Sequence, residues 1–388
     1  MELYIHIPFC VKKCDYCDFL SGPANDDIKE KYVEALVKEI KASGDCSSHD
    51  DAVTSVFVGG GTPSILKGEQ LKRIFKALKS SFIIDNKAEI TVEMNPGTVS
   101  KEKFKVLKQC GVNRLSIGLQ SVNDNELKIL GRIHTYKEFE DAYMMARNIG
   151  FDNINIDLIS AIPGQTVESW SSTLKKVAEL NPQHISAYSL IIEEGTPFYD
   201  KYGDDLNVSG NDDVVALPDE ISERCMYEDT KKILEEYGYH RYEISNYAKK
   251  GFECEHNKGY WKCEDYLGLG LGSSSLINGK RFHNTCDMNK YLEFSSNPEK
   301  IREDKNILTI EEQIEEFMFL GLRMTEGVSK KEFLNRFNIS IEEVYCNELK
   351  KLTEEKLIKI EEDMLYLTKM GTDVSNQVFV EFMEPEIR

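Results

Sequence analysis

The chain has 388 residues, of which 48 are Lys or Arg and 67 are Asp or Glu, so its formal net charge is 48 − 67 = −19. Such an acidic surface repels phosphate backbones and anionic lipid, which argues against nucleic acid as a partner. The length predicts more than one domain. Ten cysteines, with no secretory signal and no apolar run of membrane-spanning length, predict a reducing, cytoplasmic setting.

Short β-branched runs alternate with amphipathic helical stretches through the first half of the chain. The predicted strands are Leu3–Ile7, Ser55–Gly59, Glu89–Asn95, Arg114–Gln120, Asn153–Ser160 and His184–Ile191. The predicted helices are Asp27–Ala42, Gly68–Ser80, Ser100–Cys110, Tyr136–Ile149 and Thr166–Leu180. Six β-α units in series predict a parallel sheet with helices outside, either a barrel or an open part of one. In such folds the chemistry collects at the C-terminal ends of the strands.

Three cysteines follow the first predicted strand at a C-x3-C-x2-C spacing: Cys10, Cys14 and Cys17. Thiolates suit iron–sulfur clusters and zinc. A cubane held by three thiolates leaves one iron open to a small molecule. The alternative is a zinc knuckle completed by His6 or His49, although zinc sites usually combine C-x2-C with a second pair. The spacing resembles that of the radical S-adenosylmethionine (SAM) superfamily, whose open iron chelates SAM.

Glycine-rich or polar motifs follow the later strands. They are Gly59–Pro63, Glu93–Gly97, Ser116–Ser121, Leu130–Arg132 and the run from Asp157 to Gln165. Taken singly, each motif is typical of a tight loop, a cap or a surface group. Because they all stand at consecutive strand ends, where active sites of such sheets lie, we expect them to form one site.

The second half of the chain is less regular. Residues 204–219 are acidic and predict a surface loop, and a helix is predicted over Glu220–Tyr237. The glycine-rich segment Tyr266–Ser275 is interpreted as a close-packed turn near the site, because it lacks the βαβ frame of a nucleotide loop. A helical pattern from Ile310 and a predicted hairpin near residues 357–367 indicate a winged-helix-like domain.

Together these motifs resemble the HemN/HemW family, the anaerobic coproporphyrinogen III oxidases and their haem-chaperone relatives. The residues that carry the resemblance are Tyr4–Cys10, Gly59–Pro63, Glu93–Gly97, Gly118–Ser121, Asp157–Gly164 and His256–Trp261. The resemblance implies an α/β fold, with a partial (β/α)6 radical-SAM barrel and a smaller C-terminal helical, winged-helix-like domain. The expected division is residues 1–210 for the barrel, 211–305 for a connecting region with the His256–Trp261 motif, and 306–388 for a HemN-like C-terminal domain.

The same resemblance implies a set of cofactor residues. Cys10, Cys14 and Cys17 would hold a [4Fe–4S] cluster. The positions around SAM would be Tyr4, Tyr16, Gly60, Gly61, Thr62, Glu93, Gln120, Arg132 and Asp157. Their chemistry suits this task, because an arginine can pair a carboxylate through two parallel bonds and carboxylates accept from ribose hydroxyls or an ammonium group.

Three features favour the haem-chaperone branch of the family over the oxidase branch. The oxidase pattern has a further cysteine two residues after the third, where this chain has Phe19. The oxidase also has an N-terminal extension that helps to enclose its substrate, whereas nine residues precede Cys10 here. Finally, His256–Trp261 reads His-Asn-Lys-Gly-Tyr-Trp and matches the H-N-x-x-Y-W motif of the chaperones.

Two interpretations of His256 stay open. A neutral imidazole is a usual axial ligand of haem iron, and Tyr260 and Trp261 offer flat apolar faces to a macrocycle. The alternative is a histidine that is hydrogen-bonded beside core aromatics. Cys254 and Cys263 flank the motif and could form an adventitious metal site with a histidine, although their spacing matches no zinc pattern.

The first functional interpretation is a haem chaperone that binds haem, the cluster and SAM, and passes haem to acceptors such as respiratory haem proteins. Homodimerisation and transient membrane contact through the acceptor are part of this expectation. The second is an enzyme of porphyrin biosynthesis that oxidatively decarboxylates coproporphyrinogen III to protoporphyrinogen IX. A third is a radical SAM methyltransferase or a haem-degrading relative. The sequence assigns no catalytic residue and leaves open whether SAM is cleaved.

Overall fold

The computed structural model describes residues 1–46, 52–203, 215–383 and 385. The predicted zinc ligand His49 and most of the predicted acidic loop lie outside the described residues. The strands are β1 Glu2–Ile7, β2 Val53–Gly60, β3 Ile84–Met94, β4 Arg114–Gln120, β5 Asn153–Ser160, β6 His184–Ser189, β7 His240–Arg241, β8 Asn246–Ala248, β9 Tyr266–Leu269, β10 Ser274–Ile277, β11 Lys280–Asn284, β12 Arg302–Ile307, β13 Val328–Ser329, β14 Ile358–Glu361 and β15 Met364–Leu367.

The helices lie between and after these strands. They are α1 Asp26–Cys46, α2 Gly68–Ser81, α3 Lys101–Gln109, α4 Asp124–Ile129, α5 Tyr136–Ile149, α6 Val167–Glu179, α7 Pro197–Tyr202, α8 Glu220–Glu236, α9 Glu255–Trp261, α10 Met288–Phe294, α11 Pro298–Ile301, α12 Ile310–Gly321, α13 Lys330–Phe337, α14 Ile341–Val344, α15 Cys346–Glu354, α16 Lys369–Asp373 and α17 Ser375–Val380. Ser100 and Thr135 cap α3 and α5 by accepting a backbone N–H bond from the third helical residue.

Strands β1 to β6 are parallel and pair in chain order. All six strands predicted from the sequence are present, and β4 and β5 have the predicted bounds. The sheet has twelve strands in the order β12-β11-β10-β9-β1-β2-β3-β4-β5-β6-β8-β7, so its described edges are β12 and β7 and the barrel is partial. The predicted α/β class, partial barrel and C-terminal helical domain are confirmed.

Alternation along the strands separates two faces of the sheet. In β1, Leu3, Ile5 and Ile7 are fully buried in the hydrophobic core shared with the surrounding helices. The residues between them, Tyr4 and His6, line a cavity inside the barrel. Because side chains alternate with a period of two, the interior face carries the polar residues and the helix-covered face carries the apolar ones.

The region predicted to connect the two domains contributes strands to the same sheet. Strand β9 is parallel to β1, and β10, β11 and β12 continue from it with antiparallel pairing. Leu267, Leu269, Tyr291 and Ile301 from this region belong to the barrel's hydrophobic core. The predicted boundary at residue 210 therefore falls within one sheet and one core.

The C-terminal helices form a core of their own. Phe317, Phe333, Leu352 and Leu365 are among its buried members. The predicted hairpin is present as β14 and β15, and β13 joins it to make a three-stranded sheet. Helices around a small hairpin sheet agree with the expected winged-helix-like architecture.

Candidate cluster and cofactor site

Cys10, Cys14 and Cys17 lie on the loop that joins β1 to α1. Cys10 is buried and the other two are half-buried. Burial raises the pKa of the Cys10 and Cys17 thiols, so a metal centre bound there would have to displace their protons. Within the described residues, no three His, Cys, Asp or Glu side chains are close enough to hold one metal ion. Thiolates on a four-iron cubane bind different irons and therefore stand farther apart than the ligands of one ion.

Hydrogen bonds tie the two ends of this loop together. The Gly22 N–H donates to the Pro8 carbonyl at 3.1 Å. His6 Nε2 is hydrogen-bonded to the Leu20 carbonyl at 2.9 Å, and its Nδ1 is hydrogen-bonded to the Tyr4 hydroxyl at 3.0 Å. Both ring nitrogens of His6 are occupied, so the arrangement does not support the zinc alternative that used this histidine.

Arg132 brings a positive charge to the cysteine loop. Its Nη1 donates to Cys14 Sγ at 3.6 Å and its Nη2 donates to the Gly118 carbonyl at 2.6 Å. Its Nε is buried and has no hydrogen-bond partner in the described residues. The fixed guanidinium therefore leaves its Nε donor for an anionic ligand. The residues present therefore fit an iron–sulfur cluster and a bound carboxylate.

Gln120 ends β4 with a φ of 75°, in the left-handed region that a non-glycine residue rarely adopts. The register between β4 and β5 shifts at this point, between Gly118 and Gln120. A Cβ built on Gly118 would lie 3.0 Å from Gln120 Nε2 and 3.1 Å from Arg132 Nη2. Two of the predicted SAM residues thus meet at a glycine that has little room for a side chain.

The glycine turn after β2 packs against the start of the cysteine loop. Gly60 has a φ of 107°, and a Cβ there would lie 2.5 Å from the imidazole ring that projects from β1. The Gly61 N–H donates to the Ile7 carbonyl at 2.9 Å, and the Thr62 N–H donates to the Phe9 carbonyl at 2.7 Å. Both the backbone conformation and the lack of space require glycine at position 60.

Two carboxyl groups lie inside the barrel. Glu93 Oε2 accepts a bond from the Gly60 N–H at 3.1 Å. Burial and the nearby Asp157 raise the pKa of Glu93 to about 8. Asp157 accepts bonds from Ser116 Oγ at 3.0 Å and Asn155 Nδ2 at 2.7 Å, and burial raises its pKa as well. Both groups can form hydrogen bonds to ligand hydroxyls or an ammonium group.

Two adjoining cavities open among these residues. The first, here called the outer cavity, has a volume of about 410 Å³ and is lined by His6, Gly60 and Leu20, among others. The second, the inner chamber, has a volume of about 190 Å³ and lies farther into the barrel. Tyr4 and Glu93 line both, and Asp157 and His256 line the inner chamber.

The other predicted SAM residues take different positions. Tyr16 packs against the small apolar cluster that contains Leu130, Ile162 and Phe198, and burial raises the pKa of its hydroxyl. Five predicted positions do not line the outer cavity or the inner chamber: Tyr16, Gly61, Thr62, Gln120 and Arg132. The predicted set therefore divides into a group around the two cavities and a group that supports the cysteine loop and the strand ends beside it.

Helix α9 places His256 in the interior of the partial barrel. His256 is 1% exposed; its Nδ1 is hydrogen-bonded to Ser55 Oγ at 2.7 Å and its Nε2 to the Tyr260 hydroxyl at 3.1 Å. Burial lowers its pKa to about 3, so the ring is neutral. These contacts match the hydrogen-bonded alternative, since binding of iron would break one of the two bonds. The haem-ligand role of His256 stays a prediction.

Other residues near His256 in the sequence make contacts outside the inner chamber. Cys254 Sγ lies 3.3 Å from Glu89 Oε1 and donates to it, and burial raises the pKa of this thiol and of the Cys263 thiol. The Arg323 guanidinium lies 4.4 Å from the centre of the Trp261 ring. This cation–π contact joins α9 to the C-terminal domain, because Arg323 follows α12.

Comparison with known proteins identifies the family. The profile of the Radical SAM superfamily matches residues 4–177, and that of the HemN C-terminal domain matches residues 308–374. Heme chaperone HemW of Bacillus subtilis is 40% identical over 384 residues, which cover 98% of each chain. Heme chaperone HemW of Lactococcus lactis is 37% identical over 384 residues, 99% of this chain and 97% of that protein. This chain belongs to the HemW family.

A solved structure supports the fold of this HemW-family chain. The radical SAM enzyme coproporphyrinogen III oxidase (HemN) from Escherichia coli superposes with a TM-score of 0.85 at 24% identity, over 99% of this chain and 90% of that one. The likeness shows a shared fold. None of the described helices has both the length and the apolar character that spanning a membrane requires.

Sequence reasoning missed a buried charged residue that lines the inner chamber of the HemW-family barrel. Arg114 begins β4 and lines the inner chamber, where it is 2% exposed. The signal was present, because Arg114, Ser116 and Gly118 alternate with Leu115 and two further apolar residues along the strand. This period of two places the arginine on the polar, interior face.

Proposed function

We propose that this protein is a haem chaperone of the HemW type, which binds haem and transfers it to acceptor proteins. The observation that carries the proposal is the match of the whole chain to heme chaperones HemW at 37% and 40% identity. The acceptors, respiratory haem proteins among them, together with cytoplasmic location, homodimerisation and transient membrane contact through the acceptor, belong to the same proposal.

The cofactor part of the proposal assigns the [4Fe–4S] cluster to Cys10, Cys14 and Cys17 and SAM to the residues around it. When bound, a cluster held by three thiolates supplies one-electron chemistry and an iron that is open to a further ligand. The hydrogen bonds that join the two ends of the short cysteine loop support the assignment of the cluster to these cysteines. Arg132, at 3.6 Å from Cys14 Sγ, is placed to hold a carboxylate beside the cysteines.

The hydrogen bonds of the remaining residues support positioning roles. Glu93 fixes the Gly60 amide, and Asp157 is itself fixed by Ser116 and Asn155. Side chains held in this way present their free oxygen positions to the cavities in one orientation. His256 is proposed as the axial ligand of haem only in a state where it has left Ser55 or Tyr260.

The second candidate is oxidative decarboxylation of coproporphyrinogen III. It is favoured by the placement of Glu93 on β3 and Asp157 on β5, and of Arg132 after α4 with a hydrogen bond to the Gly118 carbonyl of β4, since haem transfer alone does not require these residues. Against it stands Phe19, which is exposed on the cysteine loop at the position where the oxidase pattern has a cysteine. Phe19 also lines the outer cavity and gives it an apolar wall.

The deciding experiment uses anaerobically reconstituted protein with reductant and SAM. One sample is titrated with haem while the Soret band is recorded, and another is incubated with coproporphyrinogen III. For a chaperone we expect a Soret shift that saturates near one haem per chain and no protoporphyrinogen. Formation of protoporphyrinogen with stoichiometric 5′-deoxyadenosine would establish the oxidase instead.

A further inference from the structure

The inner chamber contains a buried arginine whose hydrogen-bond donors are unused. A guanidinium has five N–H donors and stays charged in proteins. Arg114 is 2% exposed, yet within the described residues its side chain donates no hydrogen bond, and its Nε is buried without a partner. The nearest carboxylate oxygen, Glu89 Oε2, is 3.7 Å from Nε, an ion-pair distance that is too long for a hydrogen bond.

A buried guanidinium that donates no hydrogen bond is unusual. Buried polar groups in proteins are normally hydrogen-bonded, and a buried charge that lacks hydrogen bonds is costly. Glu89 supplies charge compensation for Arg114 but also accepts a bond from the Cys254 thiol. The guanidinium N–H groups therefore remain available to a molecule that enters the chamber from the interior of the barrel.

The walls of the inner chamber carry further hydrogen-bonding groups. Ser116, Asn155, Ser186 and Tyr188 line it, and Arg114 is the one Lys or Arg among its described lining residues. The volume of about 190 Å³ corresponds to roughly six water molecules. A small molecule with one negative group and a short carbon chain fits this combination of size and chemistry.

One of the two carboxyl groups of the chamber, that of Glu93, is mostly neutral at pH 7 and therefore does not repel an anion. Burial and the nearby Asp157 raise the pKa of Glu93 to about 8, so at pH 7 its protonated form predominates and can donate a hydrogen bond. The Asp157 carboxylate already accepts bonds from Ser116 and Asn155. Asp157 and Arg114 attract each other electrostatically, so an anion that enters the chamber shares the guanidinium with this carboxylate.

We propose that the inner chamber binds the carboxylate group of a small organic acid through the Arg114 guanidinium. This site differs from Arg132, which lies at the cysteine loop, so the chain has two arginines for two carboxylates at different depths. The proposal does not depend on haem binding. SAM also carries a carboxylate, and the experiment below separates a free acid from SAM as its source.

Propionate is the probe, because it combines a carboxylate with a chain short enough for the chamber. Full-length protein is titrated calorimetrically at pH 7 with propionate and with propionamide, its neutral isostere. We expect propionate to bind at one site per chain. Propionamide should bind at least about tenfold more weakly, because a charged partner strengthens the hydrogen bonds of a guanidinium. Equal binding of the two compounds, or no binding of propionate, would overturn the proposal.

Variants then locate the site. Arg114→Lys keeps the charge beside Glu89 but loses the planar fork, so we expect propionate affinity to fall about tenfold. The control is Arg224→Lys, which changes a half-buried arginine on α8 that pairs with Glu228 and Asp373 and does not line the chamber, so this variant should bind propionate as the unmodified protein does. Unchanged affinity in folded Arg114→Lys would place propionate elsewhere and refute the assignment. Should this variant not fold, Ser186→Ala changes another lining residue, on β6, and should weaken propionate binding; unchanged affinity there, or equal binding of propionate and propionamide, would overturn the proposal.

Competition with SAM identifies the source of the carboxylate. If saturating SAM leaves propionate affinity unchanged, the chamber takes a free acid beside SAM. If SAM abolishes propionate binding in the unmodified protein and Arg114→Lys weakens the binding of both compounds, the carboxylate is that of SAM. If SAM abolishes propionate binding but Arg114→Lys leaves SAM affinity unchanged, the two overlap without sharing the guanidinium, and the free acid is the ligand of Arg114.

Discussion

At the scale of single residues, Arg132 joins two parts of the candidate site through one guanidinium. It donates to Cys14 Sγ and to the Gly118 carbonyl. We expect Arg132→Lys to lower SAM affinity about tenfold with unchanged iron content, because lysine keeps the charge and loses the fork. Equilibrium dialysis of reconstituted protein against SAM measures this, with Arg224→Lys on α8 as control. A variant that binds SAM normally would exclude Arg132 as its carboxylate partner.

His256 contributes to the barrel interior through two hydrogen bonds and close aromatic packing. Its ring centre is 5.1 Å from that of Phe57. We expect His256→Ala to lower the free energy of unfolding by about 2–4 kcal/mol, because a cavity and two unpaired hydroxyls remain. Ser55→Ala removes one partner and should lower it by about 1–2 kcal/mol. Urea unfolding monitored by circular dichroism checks both values.

The same two variants decide the role of His256 toward haem. A Soret titration in which His256→Ala loses haem affinity and Ser55→Ala does not would establish an axial ligand. Equal haem affinity in both folded variants would instead leave His256 as a packing residue of α9. The visible absorbance of the reconstituted iron–sulfur cluster shows in each variant whether the cysteine loop is intact.

Glu93 makes stability depend on pH in a definite direction. Its pKa is raised from 4.5 to about 8 in the folded protein, so the folded state binds more protons than the unfolded state between these values. Stability is therefore lost as pH rises through this window. Glu93→Gln cannot ionise, and we expect its stability relative to the unmodified protein to increase by about 1–4 kcal/mol from pH 4.5 to 8. Denaturant unfolding of both proteins without cofactors measures this difference. A stability difference that stays the same at all pH values would contradict the prediction.

At the scale of elements, the sequence predicts those helices and strands whose position is determined by a local pattern of residues. The six parallel strands follow from β-branched runs with a period of two, and α5 follows from its capping box and its apolar spacing. Strands β7 and β8 have two and three residues, too short to show a period. The position of α9 inside the barrel depends on long-range packing that no local pattern contains. For the same reason, the cysteines could be predicted from their spacing, whereas the partners of His256 could not.

The glycine-rich segment shows how a correct interpretation of packing can miss an element. The sequence predicts that Tyr266–Ser275 is a close-packed turn. The segment is close-packed, but it also contains strand β9 and the start of strand β10, which the sequence did not predict. A Cβ on Gly268 would lie 2.1 Å from the Ser274 carbonyl oxygen. The Gly268 N–H also donates to Ser275 Oγ at 3.0 Å, so the backbone there has little freedom to move away.

We therefore expect Gly268→Ala to destabilise the protein, although alanine lowers the conformational entropy of the unfolded chain. Overpacking against a backbone atom should lower the free energy of unfolding by about 2–4 kcal/mol. The matched control is Gly97→Ala, where an added Cβ would meet Ile133 at an ordinary 3.5 Å. Thermal unfolding of both variants measures the difference, and equal stability of the two would show that β9 and β10 separate easily.

At the scale of the whole molecule, the C-terminal domain contacts α9 and the residues directly after it. Arg323 stacks on Trp261 at the end of α9. Arg336 donates to the carbonyls of Lys262 and Cys263 at 3.3 and 3.2 Å. Because His256 and Tyr260 on the same helix line the inner chamber, a shift of the C-terminal domain would reach the chamber through one rigid element of two turns.

The predicted division at residues 210 and 305 can be tested by truncation. Residues 1–210 lack β9, which pairs with β1, and lack core members such as Met226, Tyr247 and Leu269. We expect this fragment to unfold without a cooperative transition and to expose apolar surface to a hydrophobic dye, because its core is incomplete. A fragment of residues 1–309 keeps all twelve strands of the sheet and should unfold cooperatively, at a lower temperature than the full chain. Cooperative unfolding of residues 1–210 would show that the first six strands and their helices form a domain without the sheet extension.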